Sequence, residues 1–208
     1  MRSYRQYCGL ARALDIVGER WTLLIVRELL MGPRRYTDLH RGLPGIATNL
    51  LATRLADMEE AGLVVREEAP PPIATTLYRL TPRGEELRPV IEAIGRWARP
   101  LMARGMKGDA FRAEWIALPT QLFLTDREPG RAPSVIEIRG GEQPVTVEAG
   151  NGVVRTRLGA ADKPDAVITA RPDLALALLL GRVDLATARA RGLELEGDAR
   201  VLRRLEPA

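Results

Sequence analysis

The residue types that build many catalytic and metal sites are scarce in this chain of 208 residues. It has one cysteine, Cys8, and one histidine, His40, so an internal disulfide cannot form. A structural zinc site, which usually takes about four Cys or His ligands, is excluded for the same reason. A histidine cluster and a glycine-rich phosphate loop with its lysine are also missing. We therefore expect no metal, no cofactor and no enzymatic activity.

Long apolar runs are absent too. The first 15 residues, MRSYRQYCGLARALD, contain no unbroken apolar stretch of the kind found in signal peptides. No apolar run approaches the roughly 18 residues that a membrane span needs. Hydrophobic residues nevertheless make up 46% of the chain, which is enough to build cores. These features predict a folded, soluble, cytoplasmic protein that does not contact a membrane.

Lysine is nearly absent, and the positive charge rests on arginine. Residues 1–106 hold 16 arginines against 12 acidic residues, whereas residues 107–208 hold 15 basic and 15 acidic residues. All of the net charge of +4 therefore lies in the first half. Such an excess is typical of a protein with a polyanion partner, but it also follows from an arginine-rich composition. The charge alone leaves both interpretations open.

A change of pattern at residues 103–109, ARGMKGD, indicates a domain boundary, because two glycines and mixed charges follow a long helical pattern. We therefore predict two domains, residues 1–106 and residues 107–208. Each domain mixes helices and strands, so the fold class of the whole chain is α+β.

Three helices are predicted to open the first domain. One begins at Leu10 and ends at Gly18, and the next, RWTLLIVRELLMG, ends at Gly32; both are expected in the core. The core face of the second helix comprises Trp21, Leu24, Ile25 and Leu29. A short third helix, YTDLHRGL, directs Leu39 inward, and Pro44-Gly45 then predicts a turn.

The helix predicted after this turn has two different faces. At about 100° per residue, Leu51, Leu55 and Met58 fall on one apolar stripe. The opposite side is small and polar, and it comprises Asn49, Ala52, Thr53 and Ala56. Gly62 is expected to end the helix in the left-handed conformation. The strand LVVRE then pairs with TTLYRL, residues 75–80.

Two helices joined by a turn and followed by a two-stranded hairpin make a winged helix-turn-helix. In this arrangement the second helix enters the major groove of DNA with its non-core face, and the hairpin lies along the backbone. The hairpin tip, PPPIA at residues 70–74, cannot be helix or central strand, because proline lacks an amide donor. It also carries no cation, so we do not expect the tip to insert into the minor groove.

One long helix is predicted after the wing, over LTPRGEELRPVIEAIGRWARPLM, with Thr81 as its N-cap and Pro82 as its first residue. Its apolar residues are Leu87, Val90, Ile91, Ile94, Trp97 and Leu101, and all of them except Ile91 are the predicted dimer contacts. Such a stripe has to be covered, either by the first helix of the same chain or by a second subunit.

Several spaced motifs occur together in the first domain: the cysteine near the N-terminus, RWTLLIVREL, the GI before the two-faced helix, RLADMEEAGLV and LTPRGEEL. With these motifs the domain resembles the HxlR family of bacterial winged-helix transcription regulators across about its whole length. The resemblance implies a homodimer, built from the first helix and the helix after the wing, that binds an operator with two-fold symmetry. Ala47 departs from the family, because it stands where a serine usually caps the recognition helix, and Thr48 is the alternative cap.

The polar residues of the recognition helix suit direct reading of base edges. Asparagine pairs with adenine through two hydrogen bonds, threonine bonds a base edge or contacts the thymine methyl group, and arginine binds phosphate or guanine. We assign Asn49 and Thr53 to base edges, with Thr48 beside them at the DNA surface. The candidate backbone contacts are Arg34, Arg35, Arg41 and Arg54, together with Arg66 and Arg79 in the wing. The alternative is an ordinary solvated side chain for each arginine and a neutral surface position for Asn49.

The second domain is predicted to open with a helix, FRAEWIALPTQLF, that is interrupted at Pro119, and four strands follow: SVIEIRG, PVTVEAG, VVRTRLG and DAVITA. Asn151-Gly152 is expected to form a type I′ hairpin turn. A helix then runs from Pro172 to Leu180, a second helix starts at Asp184, and a strand LELEG and a last helix end the chain.

This order of elements, and above all PDLALALLLGRVDLATARARGLELEGD, resembles the sterol carrier protein type 2 fold across most of residues 107–208. The predicted chain is thus a winged helix-turn-helix domain followed by an α/β sterol-carrier-like domain. The resemblance implies an apolar tunnel or groove for a lipid or another hydrophobic small molecule. The candidate wall residues are Trp115, Leu118, Leu122, Val135, Ile168, Leu176 and Leu179. A plain core without a cavity shows the same apolar pattern, so that alternative stays open.

Cys8 has two interpretations. Some members of the HxlR family use a cysteine at this position as a thiol sensor, and the alternative is a small buried hydrophobe. With either interpretation of Cys8, we predict a dimeric one-component transcription regulator that acts as a repressor and whose second domain senses a hydrophobic small molecule. The competing hypothesis is a lipid or small-molecule carrier in which the winged helix serves dimerisation only.

Overall fold

The computed structural model describes residues 3–69, 75–104 and 108–207. The predicted wing tip, residues 70–74, and the centre of the predicted boundary, residues 105–107, lie outside these ranges. The chain divides into two compact units, Met1–Gly105 and Met106–Ala208, which we describe separately. Both units combine helices with strands, so the predicted fold class is confirmed.

Helices and a small sheet alternate in the first unit. Its α-helices are α1 (Gly9–Val17), α2 (Thr22–Leu29), α3 (Tyr36–Gly42), α4 (Thr48–Glu60), α5 (Pro82–Glu85) and α6 (Arg88–Ala98), and a 3₁₀ helix over Arg99–Arg104 follows them. Its strands are β1 (Arg34–Arg35), β2 (Val64–Glu68) and β3 (Thr76–Leu80), which form an antiparallel sheet in the order β1-β3-β2. The pairing of β2 with β3 is confirmed, whereas β1 is missing from the prediction because two residues show no alternating pattern.

The core of this unit is a single apolar cluster. It comprises Ile25, Val26, Leu29, Leu39, Leu43, Ile46, Leu51, Leu55, Met58, Leu63, Val64 and Leu80. The predicted inward placement of Leu39 in α3 and of Leu51, Leu55 and Met58 in α4 is confirmed. Gly62 follows α4 with a left-handed φ of 69°, also as predicted.

Two predictions about the first helices are corrected by the structure. Leu24 is exposed, because α2 begins only after Trp21, whose backbone is left-handed, and turns its neighbours Ile25 and Val26 into the core instead. Helix α1 belongs to the core only at its end, since Leu10 is exposed whereas Ile16 and Val17 are partly buried and pack against the core cluster.

The helix predicted after the wing is divided into two. Thr81 caps α5 as predicted, because its Oγ1 accepts a hydrogen bond from the Gly84 amide at 3.1 Å and Pro82 is the first residue. The chain then turns at Glu86 and starts again as α6, whose first turn contains Pro89. Proline lacks the amide that would continue the helical hydrogen-bond ladder, which explains the division.

In the second unit the helices are α7 (Ala117–Phe123), α8 (Pro172–Leu179) and α9 (Leu185–Ala190), with 3₁₀ helices over Ala113–Ile116 and Ala199–Arg204. The strands are β4 (Leu124–Asp126), β5 (Ser134–Arg139), β6 (Val145–Gly150), β7 (Val153–Leu158), β8 (Ala166–Thr169), β9 (Glu194–Gly197) and β10 (Leu205–Pro207). A five-stranded sheet has the order β7-β6-β5-β8-β9, and β4 pairs with β10. Only β5 and β8 run parallel among these pairs.

Most predicted elements of this unit are confirmed, including the four strands now named β5 to β8. Asn151 and Gly152 both have positive φ, 54° and 80°, as a type I′ turn requires. Pro119 does not interrupt a helix, because it lies in the first turn of α7, where a missing amide costs nothing. The predicted last helix is a 3₁₀ helix followed by β10, and the three-residue strands β4 and β10 are too short to be predicted.

A buried ion pair fastens the end of the described chain to this unit. The Arg204 guanidinium donates to both carboxylate oxygens of Asp126, at 2.5 and 3.1 Å, and the two side chains are only 7% and 0% exposed. Asp126 also accepts amide hydrogen bonds from Glu128 and Gly152. The hydrogen bond from Arg204 lowers the pKa of Asp126 to about 2, against the opposing effect of burial.

Candidate nucleic-acid interface and ligand-binding unit

The exposed stripe of α4 is the candidate reading surface. It carries small and polar residues at the helical spacing i, i+3, i+4 and i+7: Asn49, Ala52, Thr53 and Ala56. The opposite side of α4 is buried in the core. A helix with one buried side and one small, polar side presents its side chains and backbone to a groove without steric obstruction.

The first turn of α4 lacks a side-chain cap. Ala47 precedes the helix, and Thr48 is its first residue, so the alternative in which Thr48 is the cap is wrong. The Leu50 amide donates instead to Oδ1 of Asn49 at 2.9 Å. The Thr53 hydroxyl donates to the Asn49 carbonyl at 3.0 Å, and its oxygen can still accept a hydrogen bond, since the residue is exposed.

Three of the predicted phosphate contacts lie on β1 and α3. Arg35 is exposed, whereas Arg34, its neighbour in β1, is half-buried and points to the other face of the sheet. Among the described residues, Arg34 Nε has no hydrogen-bond partner. Arg41 is exposed on α3, with its guanidinium 4.0 Å from the Asp38 carboxylate. Of the three, Arg35 and Arg41 are therefore the exposed candidates for phosphate contacts.

Arg54 is a correction to the predicted set. Its guanidinium donates to Asp57 at 2.6 Å and to Glu19 at 3.1 Å, and the side chain is only 16% exposed. Two carboxylates therefore already neutralise and hold this arginine. Its position fastens α4 to the segment between α1 and α2, and it is not free to bind phosphate.

The described strands of the wing, β2 and β3, carry no net charge, because two arginines are balanced by two glutamates. Arg66 forms an ion pair with Glu59 at 3.1 Å, and Arg79 forms one with Glu67. Glu68 is a further exposed carboxylate in β2. Both wing arginines remain about half exposed, but each already has an acidic partner, which weakens the prediction that they bind the DNA backbone.

An apolar surface on α6 and the following 3₁₀ helix contains the predicted dimer residues. Leu87 packs against the core, whereas Val90, Ile94, Trp97 and Leu101 are exposed, and Trp97 is 78% exposed. All residues of α6, which the structure describes completely, are at least partly exposed. Leu10 and Leu14 make a second exposed apolar surface on α1.

Cys8 is exposed directly before α1. The interpretation of this residue as a buried hydrophobe in the fold of one chain is therefore wrong. Nearby, the Ser3 hydroxyl and the Tyr4 amide donate to the Asp15 carboxylate at 2.9 and 2.7 Å, which holds the N-terminal segment against α1.

The strand register separates the predicted ligand wall into two groups. Ile168 of β8 is fully buried and lies opposite Ile138 of β5, so the two share one face of the sheet. Val135 is an odd number of residues from Ile138 along β5 and pairs with Glu148, so it lies on the other face. Val135 and Ile168 cannot line one cavity, which corrects the predicted set.

Helix α7 covers the Ile168 face. The Thr156 hydroxyl, on that face by register, donates to the Ala117 carbonyl of α7 at 3.1 Å. Half-buried residues of α7 include the predicted Leu118 and Leu122. The remaining predicted residues are on α8, with Leu176 half-buried and Leu179 buried, and on the adjacent 3₁₀ helix, with Trp115 half-buried.

Comparison with known proteins assigns both units. The model of the HxlR-like helix-turn-helix family matches residues 16–106. A regulator from Bacillus subtilis, the uncharacterized HTH-type transcriptional regulator YvaP, is 36% identical over 87 residues, which are 42% of this chain and 81% of the relative. This chain belongs to the HxlR-like helix-turn-helix family. The model of the SCP-2 sterol transfer family matches residues 126–208 of this HxlR-like regulator.

Further similar proteins are regulators as well. The HTH-type transcriptional regulator YodB of Bacillus subtilis is 33% identical over 86 residues, 41% of this chain and 77% of YodB. The uncharacterized regulator Rv3095 of Mycobacterium tuberculosis is 40% identical over 96 residues, 46% of this chain and 60% of the relative. The solved reduced form of YodB covers 48% of this chain and 99% of its own, with 30% identity and a TM-score of 0.42. The chain is thus a helix-turn-helix transcriptional regulator with an SCP-2 domain.

Sequence reasoning missed several residues of this HxlR-like regulator. The Tyr36 hydroxyl donates to the Thr48 carbonyl at 2.6 Å, and His40 Nε2 lies 3.5 Å from Thr48 Oγ1. Helical periodicity places Tyr36 and His40 on one face of α3, but it does not reveal that this face meets α4. In the second unit, Thr120 is fully buried with no described partner for its hydroxyl, and no sequence signal marks it.

No helix in the described parts of the chain is long and apolar enough to span a membrane.

Proposed function

We propose that this regulator reads operator DNA with the exposed stripe of α4. The observation that carries the proposal is the two-faced helix, with Leu51, Leu55 and Met58 buried and Asn49 and Thr53 exposed. A helix used only for packing or dimerisation has no need of a small, polar outer face. The family membership of residues 16–106 supports the same function.

The chemistry of the stripe assigns the contacts. Asn49 presents a carboxamide that pairs with adenine through two hydrogen bonds, and Thr53 presents a methyl group to thymine. The exposed Arg35 and Arg41 bind phosphates, and Arg34 plays a smaller part because it is half-buried and points to the other face of β1. Arg54 is left out of this set because two carboxylates hold it. Arg66 and Arg79 play a smaller part, since each has an acidic partner in the wing region.

We infer further that the regulator binds as a homodimer. The exposed apolar residues of α6, with Trp97 at their centre, are costly in water and suit an isologous contact with a second copy. A dimer with two-fold symmetry matches a palindromic operator, with half-site centres about 10 base pairs, or a multiple, apart. Repression follows when such a dimer occupies a promoter.

We propose that the second unit regulates the protein and does not catalyse a reaction. We also propose that the protein acts in the cytoplasm. We propose that the second unit binds a hydrophobic small molecule between α7, α8 and the Ile168 face of its sheet. The match of residues 126–208 to the SCP-2 sterol transfer family and the apolar character of that face support the assignment. The competing function is a carrier in which the winged helix only dimerises.

A thiol switch is a second candidate for the signal. Cys8 is exposed directly before α1, which itself carries the exposed apolar residues Leu10 and Leu14. A Cys8→Ser variant that keeps DNA binding but loses its response to oxidants would favour this switch over the hydrophobic effector.

Selection of genomic fragments by the purified full-length protein tests the proposed reading. We expect enrichment of a palindromic site, and Asn49→Ala should weaken binding to it by about 1 to 3 kcal/mol and relax the preference at one base pair per half-site. Arg35→Ala should weaken binding to all sequences alike and flatten the salt dependence. If Asn49→Ala binds the selected site as tightly and selectively as the wild type, α4 does not read DNA with this face.

A further inference from the structure

The recognition helix, α4, begins without a side-chain cap. A helix begins with amides that lack intrahelical partners, and a serine, threonine or aspartate before the helix usually accepts from one of them. Ala47 cannot do so. The Leu50 amide is satisfied by Asn49, the residue that we assign to base reading, through its own carboxamide. No side chain before α4 holds its first turn, so contacts from α3 gain in importance.

Tyr36 supplies the strongest of these contacts. Its ring packs against the core of the unit, and its hydroxyl donates to the Thr48 carbonyl at 2.6 Å. His40, one turn later on α3, brings its Nε2 to 3.5 Å from the Thr48 hydroxyl. Burial, and next the nearby Tyr78, raise the pKa of Tyr36, so its hydroxyl keeps the proton that it donates. Two side chains of α3 thus meet the first residue of α4.

We propose that Tyr36 is a positioning residue for base recognition, whose hydroxyl, by donating to the Thr48 carbonyl, ties the first turn of the uncapped helix α4 to α3. The inference rests on the proposed reading function. Thr48 and Asn49 lie in the turn that Tyr36 holds, whereas Arg35 and Arg41 lie outside α4. Loss of the hydroxyl should therefore reduce selectivity between sequences and leave the sequence-independent attraction to phosphates intact.

Selectivity should be lost before affinity because base contacts and phosphate contacts tolerate different amounts of movement. A pair of hydrogen bonds to one base edge tolerates little rotation of the side chain that makes them. A contact between an arginine and a phosphate is mainly electrostatic and tolerates larger displacements. A first turn that moves more freely thus loses base discrimination first.

The test compares Tyr36→Phe with Tyr78→Phe in the full-length protein. Both changes remove one hydroxyl from a tyrosine that packs on the same core, but only Tyr36 contacts α4 at Thr48. Tyr36→Phe should lower the preference for the selected operator over single-base variants about three- to tenfold. Its affinity for random DNA and its salt dependence should match the wild type, and Tyr78→Phe should behave like the wild type in every assay.

Amide hydrogen exchange tests the structural step without DNA. Tyr36→Phe should accelerate exchange of the Leu51 and Ala52 amides several-fold, whereas exchange in the middle of α4 should not change. Adding Ala47→Ser to Tyr36→Phe should slow this exchange again and restore part of the selectivity, because a serine at that position accepts from a first-turn amide.

The outcomes separate the inference from the function on which it rests. Unchanged exchange, or unchanged selectivity in Tyr36→Phe, overturns the positioning role. An equal loss on operator and random DNA also overturns it, because that is the pattern of a general structural defect. If exchange accelerates but the wild-type protein prefers no sequence, the proposed reading function fails and the positioning role fails with it.

Discussion

The first unit of this regulator carries its candidate functional residues on its surface, whereas the second unit carries them in its interior. In the first unit the residues assigned to DNA and to the dimer, such as Asn49, Arg35 and Trp97, are exposed. In the second unit the residues assigned to a ligand, such as Ile168 and Leu179, are buried. The first unit therefore acts through its exterior, and the second is proposed to act through its interior.

This difference decides what a sequence pattern can reveal. An exposed functional face alternates with a buried face along one helix, so polar residues at regular spacing stand out, as Asn49 and Thr53 do in α4. An interior site consists of the same apolar residues as a filled core, so the pattern is identical with and without a cavity. The exterior of the first unit is open to prediction in a way that the interior of the second is not.

Removing the apolar surface of α6 should have the largest effect. Ile94→Ser combined with Trp97→Ser should produce a folded monomer by light scattering that has lost operator binding. If two half-sites share a nanomolar interaction of about −12 kcal/mol equally, one half-site retains about −6 kcal/mol, a loss of some four orders of magnitude in affinity. Because both side chains are exposed within one chain, the fold of the protomer should be kept, which the circular dichroism spectrum would show, whereas its melting temperature should no longer depend on protein concentration.

Ala93→Ser is the matched control for this variant, because Ala93 is an exposed residue of the same helix with little apolar surface to lose. It should stay dimeric and bind as the wild type does. A double variant that is monomeric yet binds the operator with full affinity would contradict the view that the exterior of α6 makes the dimer.

The fold was largely predictable where elements are long and patterned. The two faces of α4, the β2–β3 hairpin and the turn at Asn151 each depend on local periodicity or on one residue with a special backbone conformation. Strands β1, β4 and β10 were not predictable, because two or three residues carry no period and pair with distant segments. The division of the helix after the wing follows from Pro89. The prediction missed it because the apolar residues continue at helical spacing across this proline.

For the candidate site, the sequence predicted which side of α4 is exposed, but not which side chains are already held by partners. Arg54 has the residue type of a phosphate contact, but its ion pair with Glu19 joins residues 35 positions apart, and no local pattern signals such a pair. Val135 has the apolar character of a cavity wall, but the face on which it lies depends on the register with β6. Tyr36 was missed because its role depends on the packing of α3 against α4.

Breaking the buried ion pair of the second unit should have the next largest effect. Asp126→Asn leaves Arg204 buried without a charged partner, which should lower the free energy of unfolding of this unit by about 3 to 5 kcal/mol in denaturant titrations. The pKa of Asp126 is about 2 in the folded state, below the ~3.9 of an unfolded aspartate. Its stabilising effect is therefore complete above about pH 4 and is lost as the pH falls from 4 to 2.

Asp198→Asn is the control for charge alone. Asp198 also pairs with an arginine, Arg200, at 2.9 Å, but the pair is exposed to solvent, so its loss should hardly affect unfolding. Operator binding by Asp126→Asn should persist under conditions in which the second unit remains folded. If Asp126→Asn and Asp198→Asn destabilise the protein equally, burial is not what makes the Asp126–Arg204 pair important.

Filling the interior of the second unit should have the smallest effect on affinity, and it tests the comparison of the two units directly. A ligand alters DNA binding only if it prefers one state of the protein over another, and a coupling of about 1 to 3 kcal/mol changes operator affinity roughly 5- to 150-fold. Leu179→Trp adds a large ring at a buried position of α8 and should abolish binding of hydrophobic ligands and their effect on DNA binding. Operator binding without ligand should stay the same.

Val135→Trp, on the opposite face of the sheet from Ile168, is the control and should leave the ligand response intact. Calorimetry of the full-length protein against a panel of lipids and hydrophobic metabolites measures the ligand affinity with and without operator. By reciprocity, the operator must weaken ligand binding by the same factor by which the ligand weakens DNA binding. If no ligand of the panel binds, or if Cys8→Ser alone removes the response to an inducer, the signal does not enter through the interior of the second unit.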